Sequence, residues 1–141
     1  MLSQGPYSNV DSNAVGMDQK EWLSRSLIIR KYHELTHVIC REMYPAQIHA
    51  VWDELVADAI GIHAAWGRYN IEAAKLFLGI SGSAYSGGRL ENYTDDPDRL
   101  SAPVGAVLES FEEIMNNHTE EESFSLIPLL QEQQSKYIAE L

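Results

Sequence analysis

The sequence predicts an all-α fold, a compact bundle of about five to six helices with its chemistry on two central ones. Three observations lead there: apolar residues recur at intervals of three and four, no segment alternates convincingly with period two, and Gly, Pro and Asn fall where helices would stop and start. At 141 residues the chain has the size of one domain, and no internal repeat divides it.

Residues 1–17 mix Ser, Gly, Pro and Asn without a hydrophobic period, which predicts an N-terminal arm ahead of a single helical domain at 18–141. Asp18 and Glu21 form a capping box, and neither Gly nor Pro occurs from Gln19 to Met43, so a long helix follows. Leu27, Ile28, Leu35, Val38, Ile39 and Met43 cover most of its circumference, predicting a central, buried helix. Tyr44-Pro45 ends it. A second helix is expected from Ala46 to Trp66, between Pro45 and Gly67, with Val51, Leu55, Asp58 and Ile62 on one narrow stripe. Asn70 caps a third through Leu78, and the glycine-rich stretch from Gly79 to Gly88 reads as a flexible loop. Arg89 to Tyr93 makes one more helical turn before the acidic break at Asp95 to Asp98. Ser101 and Pro103 open a helix carrying Val104, Val107, Leu108, Phe111, Ile114 and Met115. A last helix starts at Thr119 with Glu120 to Glu122, bends at Pro128 and carries Phe124, Ile127, Leu130, Tyr137 and Ile138.

Charge and composition exclude several functions. A net charge of −11, from 21 acidic and 10 basic residues, argues against nucleic acid and anionic membranes, which both need clustered cations. No apolar run is long enough to cross a bilayer. The lone Cys40 cannot form an internal disulfide and Met1 to Lys20 lacks the pattern of a signal peptide, so a cytoplasmic location is expected. An apolar helical face left open in so small a domain would favour a homodimer.

The chemistry is concentrated in His33-Glu34-Leu35-Thr36-His37. A helix puts His33 and His37 on one face, where both imidazoles reach a single zinc ion, and Glu34 beside them is placed to take a proton from a zinc-bound water as general base. The second helix offers Glu54 and Asp58, also four apart. A carboxylate inside the apolar stripe must have a partner, so Asp58 is expected to accept a hydrogen bond from the second nitrogen of a ligand histidine, His33, while Glu54 is the third ligand of one Zn2+ per chain. Cys40 is a rival ligand, though a lone helical Cys reads more simply as core. His49, Asp53 and His63 share another face of the second helix and read as a solvated polar face rather than a second metal site.

The pair HELTH at His33 to His37 and ELVAD at Glu54 to Asp58 resembles the gluzincin class of zinc metallopeptidases. The resemblance covers residues 20–66 and implies His33, His37 and Glu54 as ligands, Glu34 as catalytic base, Asp58 as support behind a ligand, and a peptide or amide substrate. Gluzincin peptidases place a β-sheet ahead of the first histidine, whereas only 32 residues precede His33 here. The alternative is a non-catalytic metal-binding protein with a structural or interaction role, and it turns on whether three or four protein ligands close the ion. An oxyanion formed in hydrolysis needs a further donor; Arg89 and Tyr93, one helical turn apart, are the candidates, with the glycine-rich loop as a mobile rim. A surface pair or helix anchor is the simpler reading of the two, and Arg30 or Tyr44 would serve only by turning inward. Trp22, Trp52 and Trp66 read as core or rim.

Overall fold

The structure, a computed structural model, describes residues 5–141. Its frame is a helical hairpin, α1 (Gln19–Met43) and α2 (Ala50–Trp66). The Asp18 carboxylate starts α1 by accepting the Glu21 N–H at 2.8 Å. One 3-10 turn at Pro45–Gln47 reverses the chain, and α2 begins at Ala50 rather than Ala46 because His49 is extended and caps it, Nδ1 accepting the Trp52 N–H at 3.4 Å.

So short a connection makes the helices antiparallel, and their contacts follow one register: Arg25 with Ala65, Ile29 with Gly61, His33 with Asp58, His37 with Asp53. At the second of these crossings the backbones nearly touch. A Cβ on Gly61 would lie 2.7 Å from the Ile29 carbonyl oxygen, so only glycine lets the helices approach this closely.

The central helix is α2, not α1. From Val51 to His63 every residue of α2 but Asp53 and Glu54 is buried, whereas α1 buries one stripe of Trp22, Ser26, Ile29, His33, Thr36, His37 and Cys40. Leu27, Ile28, Leu35, Val38 and Met43 are exposed, contrary to the expectation that they line a buried helix. The physical reason is that the Gly61 crossing and the two histidines fix which side of α1 meets α2, leaving the more apolar side outward.

Around the hairpin pack α3 (Ile71–Leu78), α4 (Pro97–Asn116), α5 (Ile127–Gln131) and α6 (Gln134–Tyr137). The α4 helix starts four residues earlier than Ser101 because Asp96 caps it and Pro97 fits its first turn. The expected single bent helix at the C-terminus is instead a string of short turns, with Glu122 capping the first and Pro128 at the start of α5. Trp22, Trp52, Phe77 and Phe111 anchor the core, and Trp52 donates through Nε1 to Gln131 Oε1 at 3.1 Å.

The glycine-rich stretch is an ordered hairpin, β1 (Ile80–Ser81) antiparallel to β2 (Ala84–Tyr85), with Ile80 opposite Tyr85. Its base is closed by backbone contact between Gly79 and Gly87-Gly88, where no Cβ fits on Gly79 or Gly88, and by the Ser86 N–H donating to Gly79 O at 2.6 Å. Strands of two residues carry too few side chains to show a period. The described part of the N-terminal arm is laid against α1: Tyr7 N–H donates to Ser26 Oγ at 2.9 Å and Trp22 Nε1 to the Val10 carbonyl at 2.7 Å. Among the described residues no helix is long and apolar enough to cross a membrane.

Candidate metal centre

Two turns of α1 and one of α2 bring three donor groups to a point. Nε2 of His33 and Nε2 of His37 approach to 2.9 Å, and the Glu54 carboxylate lies 3.1 Å from each, Oε2 to His33 and Oε1 to His37. These three residues form a group that can hold a metal ion. Each imidazole is oriented from behind: His33 Nδ1 lies 2.9 Å from Asp58 Oδ1, and His37 Nδ1 lies 2.7 Å from Asp53 Oδ2. With both Nδ1–H groups donated to carboxylates, both Nε2 lone pairs face inward beside a third anionic donor. Such a triad is repulsive unless a cation fills it.

Burial would lower both histidines, yet hydrogen bonds to Asp58 and Glu54 raise His33 to about 9, and those to Asp53 and Glu54 raise His37 to about 10. Burial would raise Glu54, but the two imidazoles hold it well below the usual carboxylate range. Asp58 is fully enclosed; against the upward push of burial, the Arg89 charge with hydrogen bonds from His33 and Tyr7 brings it to about 2.

Two further segments brace the helices. Arg89, in a 3-10 turn at Arg89–Asn92, donates from Nη2 to Asp58 Oδ2 at 2.8 Å, from Nη1 to Ser8 Oγ at 2.8 Å and from Nε to the Tyr93 hydroxyl at 3.2 Å. Tyr93 in turn donates to Glu54 Oε2 at 3.1 Å. Tyr7 donates to Asp58 Oδ1 at 2.5 Å, 2.8 Å from His33 Nδ1, and the guanidinium groups of Arg89 and Arg30 lie over its ring at 4.9 and 5.6 Å. Burial first and the Asp58 charge second push the Tyr7 phenol well above its ordinary value.

The donors open onto a cavity of about 1020 Å³ whose walls include Tyr7, Glu34, Arg41, Arg89 and Tyr93. Glu34 is exposed to it, one residue on from His33. The structure thus brings together His33, Glu34, His37, Glu54, Asp58, Arg89 and Tyr93. It does not bring the glycine-rich hairpin, which lines a separate surface depression and forms no rim here. Cys40 faces Gln131, whose Nε2 donates to Sγ at 3.3 Å. His49, Asp53 and His63 do not share a solvated face: His49 caps α2, Asp53 holds His37, and His63 is buried with Nδ1 2.7 Å from Ser123 Oγ. Arg30 is turned to the Gly5 and Pro6 carbonyls at 2.5 and 3.0 Å, and Tyr44 lines another cavity near Pro128.

Tyr7, Ser8 and Asp53 are the site residues that sequence reasoning missed. Asp53 had a signal: in an antiparallel hairpin, the partner of His37 lies one turn before the partner of His33. Tyr7 and Ser8 had none, because they sit in a segment without periodicity.

Fold and site together define an all-α protein in which two histidines and a carboxylate on a helical hairpin form a group that could hold a metal ion. The chain belongs to a family described as a family of unknown function (DUF7005), which it matches over residues 1–138. No curated protein and no solved structure matches it.

Proposed function

We propose that the chain is a zinc-dependent hydrolase of peptide or amide bonds. The observation that carries this reading is that, among the described residues, three donors, not four, converge at the wall of an open cavity, the arrangement of catalytic rather than structural zinc. Two imidazoles and a carboxylate suit zinc better than calcium or magnesium, and the donor spacing near 3 Å fits bonds of about 2.0–2.1 Å. Bound there, zinc supplies a Lewis acid that acidifies water and polarises a carbonyl. Glu34 accepts the proton of the attacking water and returns it to the leaving amine. Tyr93, steadied by Arg89, is the donor nearest the ligands for the developing oxyanion. The likeness of HELTH and ELVAD to the gluzincin pair supports the same assignment of His33, His37, Glu54, Glu34 and Asp58. With no long strand edge among the described residues, cavity side chains rather than a sheet hold the substrate. The reading places the protein in the cytoplasm, where buried Cys40 stays reduced.

A non-catalytic metal centre is favoured by one observation: Arg89 and Tyr93 are engaged with Asp58 and Glu54 in the structure. Elemental analysis of protein purified without chelators is expected to find one zinc per chain, and X-ray absorption to find two imidazoles, one carboxylate and one water. A fourth protein ligand would support the non-catalytic centre, and absence of metal uptake would end both readings. On a panel of peptides and amides, Glu34→Gln should retain zinc and lose nearly all turnover, since an amide cannot take the proton.

A further inference from the structure

Of the seven large apolar side chains that the described residues leave exposed, five lie on α1 and a sixth, Ile48, follows its end. Leu27, Ile28, Leu35 and Val38 face away from the metal centre, since His33 and His37 belong to the buried stripe on the opposite side of the same helix. Val38 is 51% and Met43 60% exposed. A contiguous apolar patch of this kind on one helix marks an interaction surface rather than ordinary surface scatter.

The pattern within the patch identifies the occupant. At 100° per residue Lys31, Leu35, Val38 and Glu42 lie within about 60° of one another, with Leu27 and Ile28 on either side. Lys31 and Glu42 have opposite charges and are exposed, and neither side chain makes a hydrogen bond or ion pair among the described residues. The midpoint between Lys31 and Glu42 is also the midpoint between Leu35 and Val38. A helix with that symmetry is complementary to an antiparallel copy of itself.

We propose that the exposed face of α1 is the two-fold interface of a homodimer, with α1 packed antiparallel on the partner's α1. Leu35 and Val38 of each chain meet at the axis, each Lys31 faces a Glu42 across it, and the end bearing Met43 and Ile48 covers the end bearing Leu27 and Ile28. An isologous contact of this kind closes at two subunits. The two charges give the pairing its direction, because a parallel arrangement would set Lys31 against Lys31 and Glu42 against Glu42. The inference is independent of the proposed hydrolase activity, since none of these side chains lines the cavity.

The test is sedimentation equilibrium of the full chain over concentrations from about 1 to 200 μM, bracketing the micromolar affinity expected of a small interface. Twice the chain mass at the upper end is expected. Val38→Glu, at an exposed position, should give a monomer with unchanged circular dichroism and metal content. Lys31→Glu should weaken association at least tenfold, and adding Glu42→Lys should restore it, an outcome that a non-specific apolar contact would not produce. A monomer throughout, open-ended oligomers, association insensitive to Val38→Glu, or failure of the double charge reversal to restore pairing would each overturn the proposal. So would binding of the face to neutral phosphatidylcholine vesicles without self-association.

Discussion

The candidate metal centre is built from two kinds of chain. The three donor residues and Glu34 stand on long, regular helices, whereas the groups that brace them, Tyr7, Ser8, Arg89 and Tyr93, come from short turns far apart in the sequence. The helices fix positions through their own backbone hydrogen bonds, so the spacing of His33 and His37 follows from local geometry alone. The braces are held only by what they touch. Arg89 is placed by Asp58, Ser8 and Tyr93 together, and Tyr7 by Ser26 and Asp58. Losing a group on the helices should therefore remove a function outright, while losing a brace should loosen one.

The sharpest way to break that contrast is at the ligands. His33→Ala or His37→Ala should each abolish zinc uptake measured by elemental analysis, with Cys40→Ser unchanged; retention of the metal in either histidine variant would place the centre elsewhere. The next effect comes from acidity. The carboxylates around His33 and His37 raise both above their ordinary value, so at neutral pH each is expected to give up a proton when an ion binds. Zinc affinity should thus strengthen with rising pH by about a hundredfold per unit between pH 6 and 8, with proton release seen by calorimetry in buffers of different ionisation enthalpy. An affinity flat with pH would mean that the imidazoles are neutral without the ion.

Smaller losses are expected behind the ligands. Asp58→Asn should lower zinc affinity about ten- to a hundredfold and Glu54→Ala more, because the first disturbs the aim of one imidazole and the second removes a donor; the opposite order would exchange the two roles. Tyr7→Phe should show the least, a loss of about tenfold or less in affinity and about 1 kcal/mol in stability by chemical denaturation. An effect as large as that of Asp58→Asn would raise the arm to equal rank with the helices.

The same division governed what could be read in advance. The all-α class, the span of α1 and the grouping of His33, His37 and Glu54 are properties of 3.6-residue periodicity and capping, which one sequence displays. Which side of α1 is buried could not be read that way. Apolar count pointed to Leu27, Leu35 and Val38, while close approach at Gly61 and the pairing of two histidines with two carboxylates turned the opposite side inward. Asp53 reads from the sequence as part of a solvated polar face, although a hairpin register places it against His37. Tyr7 depends on where the arm lies, a tertiary fact with no local trace.

Gly61 has a bearing on how the three donors are spaced. The helices that carry His33, His37 and Glu54 are set apart by backbone resting on backbone, a hard stop that does not yield as a side chain would. The distance across which the donors face one another is therefore gauged before any ion arrives, and the cost of holding them together falls on helix packing. The instrument of that spacing is a residue with no side chain, two turns of α2 away from Glu54.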